Sequence, residues 1–156
     1  MRRICAFLLA AALCGCGKPA HEHLTDARRE LADAAYPEAI AAADAGLRET
    51  PGAKTLWGLE LVKLEALARA GQGEEAKGQL AMLVDLYPDR MPATQYSATA
   101  YQLQSAGQGT VAIEVLDMGL QHYPGNPAIE RLIGASQSGD VDPAELEMLK
   151  TLGYIE

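Results

Sequence analysis

The 156-residue chain carries 13 lysines and arginines against 21 aspartates and glutamates, a formal net charge of −8. That balance lacks the basic footprint by which proteins hold nucleic acid, so no nucleic-acid partner is expected. Anionic lipid would repel it as well. Alanine, leucine and glutamate are plentiful, Val, Ile, Thr and Phe are sparse, and no stretch alternates apolar and polar residues for long. The chain therefore reads as all-α, with enough apolar residues for one domain with a real core.

Residues 1–15 have the parts of a secretory leader. Arg2 and Arg3 give a positive start, Ile4 to Leu13 is an apolar run, and small residues follow. The run is too short to span a hydrocarbon core, which takes about 20 helical residues. All three cysteines (Cys5, Cys14 and Cys16) fall within the first sixteen residues. Leu13-Cys14-Gly15-Cys16 resembles the lipobox of bacterial lipoproteins, with Cys14 where Ala, Ser or Thr is commoner. The resemblance implies cleavage after Gly15 and a covalent lipid (diacylglycerol, with palmitate-like acyl chains) on Cys16. Cys5 and Cys14 would leave with the leader, so the mature body could form no internal disulfide. Gly17 follows where aspartate would favour the inner membrane, which points to the outer membrane, facing the periplasm. Residues 16–23 read as lipidated cysteine and tether, of which 16–22 could reach about 25 Å at most.

Residues 24–136 contain an internal repeat. Tyr36-Pro37-Glu38-Ala39, Gly73-Glu74-Glu75-Ala76 and Gly109-Thr110-Val111-Ala112 align without gaps, each followed by an apolar stripe and then by Pro51, Pro88 or Pro124. The small alanines let helices approach closely. Ala43 and Leu47, then Leu80, Leu83 and Val84, then Leu116 and Leu120 continue the buried face. Proline ends each second helix, and Gly71 and Gly107 mark the turn within a pair. Such a pair cannot bury its apolar face alone and must stack on neighbours.

This pattern resembles the tetratricopeptide repeat, and implies an αα-hairpin solenoid of about three repeats. Ala39, Ala76 and Ala112 match the family's small residue early in the second helix, and the three prolines match its terminal one. Gly46 and Gly119 fit the later small position, where Leu83 departs. Tyr36 matches the aromatic that opens the second helix, from which Gly73 and Gly109 depart. Tyr96 and Ala100 fit the first helix, whereas Leu64 replaces a small residue. Carried over residue by residue, the family's concave groove implies Arg28; Leu61, Glu65 and Arg69; Thr94, Ser97, Tyr101 and Gln104; and Arg131. The lysine–asparagine clamp of the family's chaperone-tail readers is missing. A solvated face remains the alternative for each of these residues singly.

After Pro124 a further helix is expected over roughly Pro127 to Ser136, then a break at Ser138-Gly139-Asp140. Residues 140–156 read as a C-terminal capping helix: Asp142 caps, Pro143 opens, and Leu146, Leu149 and Leu152 keep helical spacing. The Leu-Gly-Tyr-Ile ending also resembles C-termini of some secreted sulfatases and repeat proteins. Gly71-Gln72-Gly73 and Gly107-Gln108-Gly109 lack the preceding strand and the Lys-Ser/Thr of a phosphate loop, and read as hairpin turns. His21-Glu22-His23 reads as solvated tether, with no metal and no cofactor expected beyond the lipid. Trp57 reads as packing between repeats. No serine lies in a nucleophile-elbow pattern, so no enzymatic activity is expected. The reading is a membrane-anchored adaptor that binds a helix or peptide of a partner protein in the bacterial envelope, of the kind serving secretion, pili or outer-membrane assembly. The alternatives are a fixed structural subunit of an envelope complex and an accessory protein to a secreted hydrolase.

Overall fold

The computed structural model describes residues 17–138, together with 143 and 147. Among these residues the chain is all-helical and has no strand. Seven α-helices follow in order: α1 (Ala20–Ala32), α2 (Tyr36–Leu47), α3 (Ala53–Arg69), α4 (Gly73–Leu86), α5 (Ala93–Ser105), α6 (Gly109–His122) and α7 (Pro127–Ser138), with a 3₁₀ turn at Pro88–Arg90. Each odd helix packs on the next odd one, α1 on α3, α3 on α5 and α5 on α7, while α4 packs on α6. No described helix is long and apolar enough to cross a membrane. The leader, Cys16 and nearly all of the 140–156 cap lie outside the described residues.

Three residues link α1 to α2, α3 to α4 and α5 to α6, and the three links are one structure repeated. The middle residue of each is left-handed: Ala34 at φ 58°, Gly71 at 72° and Gly107 at 76°. The next amide reaches back to the last helical turn each time, Ala35 N to Glu30 O at 2.8 Å, Gln72 N to Leu67 O at 3.0 Å and Gln108 N to Leu103 O at 2.8 Å. The left-handed residue's own amide bonds to the carbonyl three residues back, at Leu31, Ala68 and Gln104. This is the Schellman arrangement, which satisfies carbonyls that a helix end would leave orphaned. Glycine takes that conformation without strain, whereas Ala34 must hold its Cβ near a carbonyl. Ala34→Gly should therefore raise stability by about 0.5–1 kcal/mol, and Gly107→Ala should lower it by about as much. Urea midpoints of the two variants against wild type check both signs.

The repeated geometry continues into the second helices. Ala39, Ala76 and Ala112 are buried, as are Ala43, Leu80, Leu83, Val84 and Leu116, while Leu47 and Leu120 are half-buried. The apolar interior forms two clusters that meet at α3. Leu24, Ala27, Ala43, Leu59 and Val62 make the smaller one, and a larger one runs from Leu64 through α4, α5 and α6 to Ile129 and Ile133 on α7. Polar staples cross the helices: Lys63 meets Asp44 at 2.7 Å, Gln79 donates to Glu60, and Lys77 bridges Glu74 on its own helix and Glu114 on α6.

The helix after Pro124 runs as expected and two residues further, to Ser138. Its start depends on Asn126, whose Oδ1 accepts from the amides of Ala128 and Ile129 at 3.1 and 3.3 Å. That is an N-cap followed by proline at the first helical position. At the other end, α1 begins at Ala20, so His21, Glu22 and His23 lie on its first turn rather than on the tether. Extended Pro19 precedes the helix, Glu22 suits the positive end of its dipole, and Lys18 pairs with Asp26.

Tyr96 is 1% exposed, stacked on His122 and edge-on to Tyr123 at ring separations of 6.0 and 6.1 Å. Burial, with Tyr123 adding, pushes its phenol up to about 12. The fold then keeps this proton where the unfolded chain gives it up. The contribution is complete below the ordinary value near 10 and fades as pH climbs from 10 to 12. Lys77, held charged by its hydrogen bond to Glu114 and then by Glu74, also shifts upward, so its contribution fades in the same direction. The melting temperature should fall steeply from pH 10 to 12, with Tyr96 contributing about 2 kcal/mol. Tyr96→Phe should flatten that slope.

Candidate functional site

A groove of about 370 Å³ opens where the first three helix pairs converge. Tyr36 comes from the start of α2, Arg69 from the last turn of α3, and Ala98, Tyr101, Gln102, Ser105 and Ala106 from α5 and its end. The turns bring these residues together. Each lies within about one helical turn of a three-residue link, or one turn further along α5. Stacking the links puts them side by side: a Cβ on Gly71 would lie 3.6 Å from the carbonyl of Ala106, and one on Gly73 would press the Gln108 side chain at 2.9 Å.

Tyr101 is 66% exposed, one of only two large apolar side chains this open among the described residues. Its ring stands free at the groove while its helix is fixed by buried Leu103 and Ala100. Arg69 is exposed, and its Nη2 lies 2.7 Å from Glu65 Oε1, one turn back on α3. That carboxylate holds the guanidinium in place over the groove without enclosing it. Ser105 Oγ donates to the carbonyl of Tyr101 at 2.8 Å, which leaves the hydroxyl oxygen free to accept. The groove thus offers two tyrosine rings, one cation, an amide and a hydroxyl. It can clasp an extended chain or one face of a helix by aromatic packing and one charged contact.

Of the residues that the sequence suggested for a groove, Arg69 and Tyr101 line it and Glu65 supports it from behind. Leu61 does not line it: the side chain is half-buried against the larger core, because α3 is flanked by α2 on one side and α5 on the other. Arg28 does not line it either: it sits with Leu24 over Gly58, where a Cβ would be 3.4 Å from its Nη2. Ser97 turns its hydroxyl back to the carbonyl of Ala93 at 3.4 Å. Thr94 and Gln104 are exposed on α5, and Arg131 on α7, none of them lining the groove. Cys16 lies outside the described residues.

Tyr36, Ala98, Gln102, Ser105 and Ala106 were missed. Ala98 and Ser105 lie three before and four after Tyr101, so the helical neighbours of the one exposed aromatic were the available signal. Tyr36 carried no such signal, since its place depends on how the first pair stacks on the third. Trp57, expected to pack between repeats, finds its aromatic partner within its own pair: it is half-buried against the larger cluster and edge-on to Tyr87, just past α4, at 5.4 Å, with the Arg90 guanidinium 5.8 Å from its ring. Among the described residues no three His, Cys, Asp or Glu side chains gather as a metal site would need. Neither a family model, nor a curated protein, nor a solved structure matches the chain.

Proposed function

We propose that the chain is a lipid-anchored adaptor of the bacterial envelope, built of tetratricopeptide-like helix pairs, which holds a segment of a partner protein in the groove beside α5. The observation that carries this reading is the convergence on one groove of side chains from three successive pairs, with the exposed Tyr101 among them. Three copies of one Schellman turn, and glycines that let neighbouring helices close on one another, support the repeat architecture. The groove binds and does not transform. The only covalent group in the proposal is the lipid on Cys16, which tethers the protein to the membrane, the outer one by the Gly17 criterion.

Arg69 selects for a carboxylate on the partner segment, and the tyrosines for aromatic or proline side chains. A photoreactive phenylalanine analogue placed at position 101 in intact cells tests the reading. One crosslinked adduct of defined mass is expected, absent when the probe replaces exposed Gln104 instead. Equal labelling from both positions, or none from 101, would count against the groove.

A further inference from the structure

The helices alternate in direction, which divides the molecule into two ends. One end carries the three Schellman turns and the groove. The other carries Gly17, the loops 48–52 and 87–92, and the Trp57–Tyr87 contact. The assignment is geometric: a Cβ on Gly17 would sit 3.4 Å from the Glu49 carboxylate just past α2, and Trp57 near the start of α3 meets Tyr87 just past α4. α3 alone, at 17 residues, separates the two ends by about 25 Å. Cys16 is one peptide from Gly17, about 3.8 Å between Cα atoms. The described chain thus begins at the loop end, and a lipid on that sulfur would bring the bilayer to the same end.

That end has the side chains an interface favours. Leu86 is 61% exposed at the close of α4, and Pro88 is exposed beside it. Trp57 and Tyr87 are half-buried against the larger cluster and stand edge to face, each with part of its ring open, and exposed Arg90 lies over both rings at 5.8 and 5.9 Å. Trp and Tyr prefer the boundary between headgroups and acyl chains, where an arginine stem lies on apolar surface and its head stays wet. Arg48, Lys54 and Arg90 are offset locally by Glu49, Asp85 and Asp89. The contact is therefore apolar in character and needs no anionic lipid.

We propose that Trp57, Leu86, Tyr87 and Arg90 form a second, non-covalent contact with the phospholipid surface, which stands the helices upright on the membrane and holds the groove away from it. This rests on the proposed lipid anchor. Trp57 is the chain's one tryptophan, so its emission reports on this surface alone. The mature chain from Cys16, coupled through its single thiol to a maleimide-headgroup lipid, is placed on phosphatidylcholine vesicles with and without brominated acyl chains. Emission should fall by about half on the brominated vesicles, and Leu86→Asp should restore most of it while far-UV circular dichroism stays unchanged. In a chain carrying Trp57→Phe and Tyr101→Trp, the emission should not respond to bromine. An unresponsive Trp57, or equal quenching of the two reporters, overturns the orientation. Because the coupling is chemical, that failure is separate from failure of the anchor itself, which would appear as no palmitate label on Cys16 in cells and would overturn both.

Discussion

Gly119→Val should unfold the protein more readily than any exposed substitution, at a cost of about 3 kcal/mol or a fall in melting temperature of roughly 10 °C. A Cβ at this position would stand 2.9 Å from Ile129 Cδ1, 3.0 Å from Tyr96 Cβ and 3.1 Å from Tyr96 Cγ. The isoleucine tip can swing aside. Tyr96 cannot, because those atoms are its root and its ring is wedged between His122 and Tyr123. Branching at Cβ adds two further methyl groups to a space that does not admit the first. Gly46 repeats the arrangement two helix pairs earlier, with Leu59 and His23 at 2.8 and 2.9 Å. Gly78 is the control. It is exposed on α4 with nothing near its missing Cβ, so Gly78→Ala should stabilise by about 0.5–1 kcal/mol through helix propensity alone. Opposite signs at two helical glycines would separate close approach from conformational entropy. Equal effects would remove the close-packing argument.

The same glycines show why the helices and their turns were readable and the groove was not. A left-handed turn, a close helix approach and a proline stop each impose their demand on one residue. Gly71, Gly107, Ala76, Ala112 and Gly119 therefore stand out in the chain without knowledge of any partner in space. Ala34 is the informative exception: its backbone matches Gly71 and Gly107, yet the residue does not advertise it. The Asn126 cap was legible in principle as Asn before Pro, a local signal like the others. A groove makes no such local demand. Its lining depends on how far neighbouring helices separate, and family positions fix only which face of a helix points inward. Leu61 points inward and is taken up by the core, while Tyr36, on a second helix, reaches the groove because the links stack. The tether was misjudged for a related reason. A few polar residues with two histidines look like linker by composition, whereas Pro19, Glu22 and the Lys18–Asp26 pair start a helix there.

Tyr101→Ala combined with Arg69→Ala should abolish capture of the proposed partner segment and leave the fold as stable as before. The stability half follows from exposure. Tyr101 is 66% open to solvent, and the Arg69–Glu65 pair is a surface contact one turn apart on a helix, worth about 0.3–0.5 kcal/mol. Both changes together should move the urea midpoint by less than the effect of Gly119→Val alone. The binding half follows from where recognition energy gathers. Tyrosine and arginine dominate interface hot spots, each costing about 2 kcal/mol or more when truncated at the centre of a contact, so the pair should weaken binding at least a hundredfold. The two act on one groove, so their effects need not add. Affinity for the peptide recovered from the position-101 crosslink, measured for both single variants and the double, decides the matter. A large loss of binding with an unchanged midpoint assigns recognition to these side chains. A parallel loss of both would mean that the groove is part of the scaffold and that the partner docks elsewhere.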